Sequence, residues 1–127
     1  MAATVNGERQ RASSGSPFEA SIGFSRAIRV GNRILVSGTA PVEDDGSSTP
    51  GDAEAQAERC LAVIVRAIEE LGGTAEDVVR TRQYLVDGAD GDAVGRAHGR
   101  WFGDIRPAST MIVVAGLLRP EWRVEIE

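Results

Sequence analysis

Arg106-Pro107-Ala108-Ser109-Thr110-Met111-Ile112-Val113-Val114-Ala115-Gly116, followed by Arg123-Val124-Glu125-Ile126-Glu127, is the stretch on which the reading of this chain turns. Proline lacks a backbone donor and is tolerated at the first residue of a strand, so Pro107 marks a start. Thr110 to Val114 is bulky and largely β-branched, the pattern of a strand buried on both faces. Gly116 and Pro120 bracket a turn. Arg123 to Glu127 then alternates, which puts Arg123, Glu125 and Glu127 on one face and Val124 and Ile126 on the core side. The two runs are expected to form a hairpin, with Ser109, Met111 and Glu125 on one polar surface. An ordinary half-solvated sheet shows the same alternation, so the pattern alone does not make a site.

Upstream, Met1 to Ser16 is polar and rich in small residues, and is expected to be a flexible arm before a single domain over residues 17–127. Ser25 to Val30 and Arg33 to Ser37 flank Gly31-Asn32, a turn pair that joins two strands as a hairpin. The second strand runs into Gly38, where backbone can approach a ligand closely. Glu43 to Gly51 is an acidic, Gly/Ser-rich loop. Asp52 is the expected N-cap of a long helix whose Cys60, Leu61, Ile64, Val65, Ile68 and Leu71 form one apolar stripe. Gly72-Gly73 ends that helix. Thr74 to Asp77 reads as a capped turn, Val78 to Asp87 as a strand, and Asp92 to Gly103 as a second helix. Two strands, helix, strand, helix, two strands is an α+β order: a mixed sheet with two helices packed on one face. The other face has no helix to cover it, which points to a homo-oligomer if that face is apolar.

A chain of 127 residues leaves room for one modest core. Its composition, 42% hydrophobic and 26% charged, is that of a soluble globular protein. The net charge of −5 argues against nucleic-acid binding, which needs a basic face. No apolar run approaches the length of a membrane span, and the lone Cys60 fits a reducing compartment, so a cytoplasmic protein is expected. The single histidine, His98, cannot build a metal site alone, and neither a phosphate loop nor a dinucleotide fingerprint occurs. Cys60 lies on the apolar stripe and reads as an inert buried thiol. Glu125 is the best single candidate for chemistry, because a carboxylate in a cleft can orient or activate water.

Several short motifs occur together in a fixed order. They are Gly23-Phe24-Ser25-Arg26-Ala27, Gly31-Asn32, Val36-Ser37-Gly38, Leu71-Gly72-Gly73, Asp77-Val78-Val79-Arg80-Thr81, Arg106-Pro107-Ala108 and Val124-Glu125-Ile126-Glu127, with Gln56 and Leu61 on the helix. In order and spacing the chain resembles the RidA/YjgF family, the reactive-intermediate deaminases, some of them known as endoribonuclease L-PSP. The resemblance implies a fold similar to chorismate mutase, with three chains packing their sheets into a trimeric barrel and three ligand clefts between subunits. It also implies hydrolysis of enamines and imines to ammonia and a 2-keto acid, without a cofactor.

Matched by motif, the family's cleft positions fall on Phe24, Ser37, Gly38, Ser109 and Met111 as substrate-binding residues and on Glu125 as the catalytic one. Two departures stand out. The family's substrate-carboxylate arginine is Ser109 here, so a bidentate charge-assisted bond worth about 1.5–3 kcal/mol is gone. The family's tyrosine hydroxyl is also missing, because Phe24 occupies its place. A RidA-like hydrolase or deaminase of an enamine, imine or related metabolite is therefore expected, with 2-iminopropionate a poor substrate. Arg82 would compensate if its strand bordered the same pocket. The alternative is a trimeric module that binds a metabolite or stabilises a partner without turnover; ribonuclease activity fits the acidic balance least.

Overall fold

The computed structural model describes residues 9–127. The two-residue turn at Gly31-Asn32, with Gly31 at φ 61°, joins β2, Ala27–Val30, to β3, Arg33–Val36, in an antiparallel hairpin. Strand β1, Arg9–Ala12, pairs with the outer side of β2. This corrects the expectation of a loose arm through Ser16. Polar side chains do not prevent a run from joining a sheet edge through its backbone, and Ala12 is buried beside Ala27, Ala67 and Leu71. The remainder of that expected arm, residues 1–8, lies outside the described residues.

Helix α1, Ala53–Glu70, starts where the sequence signals it, with the Asp52 carboxylate accepting from Ala55 N at 2.9 Å. Its stripe of Cys60, Leu61, Ile64, Val65 and Ile68 is buried against the sheet and forms most of the core with Val124 and Ile126. Gly72 takes φ 89° after the helix ends. Helix α2, Gly91–Phe102, lies beside α1 and buries Val94, Ala97 and Phe102. Arg96 and Arg100 pair with Glu54 of α1 at 3.0 and 2.6 Å.

Between the helices in sequence comes β4, Arg80–Leu85, and after α2 come β5, Ala108–Val113, and β6, Val124–Ile126. Their spatial order is β5-β4-β6, with β5 parallel and β6 antiparallel to β4. Reciprocal backbone bonds between Thr39 and Ile126, at 2.7 and 3.0 Å, join this sheet to the β1-β2-β3 sheet. The architecture is α+β, with both helices on one face of mixed sheets.

Two expectations for the terminal stretch need correction. The runs around Ser109 and Glu125 do not form a hairpin, because β4 lies between them. Nor is β5 buried on both faces: it is an edge strand, and all six of its residues are exposed. Its apolar run is therefore a surface of this chain. The sheet face away from the helices is uncovered as expected, and it carries Leu35 at 52% and Ile112 at 44% exposure.

Candidate functional site

Strand register decides which side chains can meet. Residues directly opposite each other in a ladder share a face, and Tyr84 sits opposite both Glu125 and Ile112. Gln83 sits opposite both Met111 and Ile126. Glu125 is thus on the open face, whereas Ser109 and Met111 are on the helix side of the same sheet. The expected shared surface for Ser109 and Glu125 does not exist within one chain. Alternation groups the residues within each run, but the offset between the runs is fixed by β4 and is invisible in either run alone.

Glu125 opens into a cavity of about 290 Å³ that also receives Phe24, Arg26 and Gly38. Its walls include the segment that carries Ser16 and Phe18 ahead of β2, the acidic loop at residues 42–46, and the segment that carries Trp122 ahead of β6. The Arg119 guanidinium ties the first and last of these together, lying 5.4 Å from the Phe18 ring centre and 5.2 Å from that of Trp122. Gly38 leaves the space that the Glu125 carboxylate fills. A Cβ there would overlap Glu125 Oε2 and lie 3.5 Å from Cδ. The carboxylate therefore rests on bare backbone, half-buried. Burial raises its proton affinity above the ordinary carboxylate value; Arg26 opposes that shift and Glu127 adds to it.

Arg26 is the cavity residue that motif matching passed over as a site residue. Its Nε meets Glu19 Oε2 at 3.3 Å, and both side chains are buried. Its Nη1 donates to Gly38 O at 2.6 Å and to Thr39 Oγ1 at 3.1 Å, and its guanidinium lies 5.2 Å from the Phe24 ring centre. Burial alone would raise the Glu19 carboxyl, but hydrogen bonds from Ser14 and Ser13 and the Arg26 charge outweigh it, so its pKa is lowered. This pair fixes the Gly38 carbonyl and hence the floor beneath Glu125. The available signal was an arginine placed directly before a buried strand position, Ala27.

The other expected site residues fall elsewhere. The Ser37 hydroxyl donates to Ser25 O at 2.6 Å, and its N–H donates to Arg26 O at 2.9 Å, so its polar groups tie two strands together. Arg82 shares the open face with Glu125, two positions along β4 from Tyr84, but it pairs with Glu127 at 3.5 Å and lines a second depression whose walls do not include Glu125. Ser109 Oγ donates to Gln83 Oε1 at 3.1 Å and accepts from Thr81 Oγ1 at 2.9 Å. His98 reaches the same Thr81 oxygen at 2.8 Å. Cys60 is fully buried, and burial pushes its thiol far above the usual range, in keeping with an inert packing residue.

Among the described residues no helix is long and apolar enough to cross a membrane. Residues 15–127 match the family model described as Endoribonuclease L-PSP. An uncharacterized protein of Streptomyces coelicolor is 41% identical over 118 residues, covering 93% of this chain and 88% of that protein. The 3-aminoacrylate deaminase RutC of Acinetobacter baylyi is 32% identical over 101 residues, 79% of each chain. A crystal structure of a YjgF family member from Mycobacterium tuberculosis superposes with a TM-score of 0.84 at 41% identity, covering 94% of this chain and 95% of that one. The chain belongs to the RidA/YjgF family, whose model carries the description Endoribonuclease L-PSP.

Proposed function

We propose that this chain is a cytoplasmic, cofactor-independent hydrolase of small imines or enamines, acting as a homotrimer with its clefts between subunits. The observation that carries the reading is the Glu125 carboxylate, seated on Gly38, half-buried, and open to a cavity large enough for a small metabolite. A carboxylate with raised proton affinity is a better base toward water than an exposed one. Water held by Glu125 adds to the C=N carbon as one of its protons passes to the carboxylate, which hands that proton to the nitrogen to give a neutral carbinolamine. Glu125 then takes the carbinolamine hydroxyl proton and delivers it to the departing nitrogen as the C–N bond breaks, leaving a carbonyl and ammonia. An enamine enters the same route after tautomerising to its imine. Phe24 and the Gly38 backbone hold the substrate beside Glu125. The deaminase activity of the RutC relative supports this reaction class.

Assembly supplies what one chain lacks. Ser109 and Met111 face away from Glu125 in their own subunit, on an exposed edge strand. They complete a cleft only by serving the Glu125 of a neighbour, and the uncovered face with Leu35 and Ile112 gives the trimer its apolar interior. The loss of a fixed cation at position 109 favours a second reading, a binding module without turnover. Ammonia release from a panel of oxidase-generated imines separates the two. Turnover above the uncatalysed rate supports the hydrolase; saturable binding with no release across the panel replaces it with the module.

A further inference from the structure

In the proposed cleft, position 109 is where the substrate's end group would lie, so the proton arrangement at Ser109 decides what it can recognise. Gln83 Oε1 is a pure acceptor, and Ser109 Oγ is 3.1 Å from it, so the serine proton is committed inward. Thr81 receives a bond from Gln83 Nε2 at 2.9 Å and gives its own single proton to Ser109. His98 must then donate from Nε2 to Thr81, 2.8 Å away, which makes it the Nε2–H tautomer. Desolvation lowers the His98 pKa, so the ring adds no positive charge at neutral pH. Gln83 and Thr81 are almost fully buried, so water does not compete for these bonds.

Resting on the intersubunit cleft proposed above, we infer that Ser109 presents only a lone pair to the ligand, and that the substrate is a small molecule with an uncharged N–H or O–H donor at that end, a carboxamide-type group rather than a carboxylate. A carboxylate there would meet a lone pair with no cation to offset it; an amide N–H finds an acceptor. This goes beyond a weakened carboxylate site: the polarity of recognition is reversed.

Pyruvamide and pyruvate are matched probes that differ only at this group. Titration of each into the assembled protein, read at the Gly38 amide by NMR, reports cleft occupancy whichever probe is present. Pyruvamide is expected to bind about tenfold more tightly, the size of one added hydrogen bond of ordinary strength. Ser109→Ala should bring the two within about threefold of each other. Gln83→Met removes the acceptor that holds the serine proton, freeing it to point outward, and should move the ratio toward pyruvate. Equal or tighter binding of pyruvate at Gly38, or a preference that survives Ser109→Ala, overturns the inference while leaving the cleft in place. No response of Gly38 to either probe overturns both the inference and the cleft reading.

Discussion

Gly38→Ala separates the shape of the site from the stability of the fold. The added methyl would overlap Glu125 Oε2, so that oxygen must withdraw by about 1 Å to restore ordinary contact. The displaced group is the tip of a flexible side chain, and Gly38 is not among the glycines held at positive φ, so the backbone accepts alanine. Reduced freedom in the unfolded chain contributes about 0.4–1 kcal/mol in favour of the variant, against a crowding cost of about 1 kcal/mol. Thermal unfolding should therefore move by no more than a few degrees. Misplacement of a catalytic group by about 1 Å costs on the order of a hundredfold in rate. Ammonia release from the best imine of the panel should fall by about that factor while the assembly persists. A Gly38→Ala protein with wild-type turnover would show that the position of Glu125 does not control the chemistry.

Other perturbations probe separate links. Arg26→Met leaves Glu19 buried without its cation and should cost about 3–5 kcal/mol in denaturant unfolding, whereas an exposed pair would cost under 1. Glu125 has a folded pKa raised above 4.5, chiefly by burial, so the native state binds its proton more tightly than the unfolded chain and stability falls as pH rises through that window. Glu125→Gln should thus be more stable than wild type at pH 7, with the gain vanishing below the ordinary value of 4.5; an unchanged difference across pH would contradict the assignment. Asp52→Ala removes the cap of α1 and should cost about 1 kcal/mol, read by thermal unfolding. Light scattering in dilute buffer should give the mass of three chains, and a folded monomer would remove the basis for an intersubunit cleft.

Most of the architecture was legible because it rests on local chemistry. Gly31-Asn32 demanded a hairpin, Asp52 a cap, and the Cys60 to Ile68 stripe a buried helix face; each is found. The site was only half legible. Glu125, Phe24 and Gly38, the residues picked out by motif, line one cavity of the single chain. Ser109 and Met111 do not join them, because alternation within a strand says nothing of the neighbouring strand's offset, which here passes through β4. Arg26 was missed because its role depends on Glu19, and their pairing forms only through the tertiary fold. The β1 strand was hidden for a related reason: its pairing is made by backbone groups, which side-chain polarity does not report.

The most direct test mixes two inactive proteins. Glu125→Gln removes the carboxylate, and Met111→Trp blocks the edge-strand wall, where Met111 is 38% exposed. If each cleft takes Glu125 from one chain and Met111 from its neighbour, random exchange of equal amounts leaves about a quarter of the clefts with both wild-type residues. Imine hydrolysis should then recover to about a quarter of the wild-type rate after subunit exchange. If both residues served one chain's own site, every cleft would carry one lesion. Verified exchange with no recovery of ammonia release would contradict the intersubunit site.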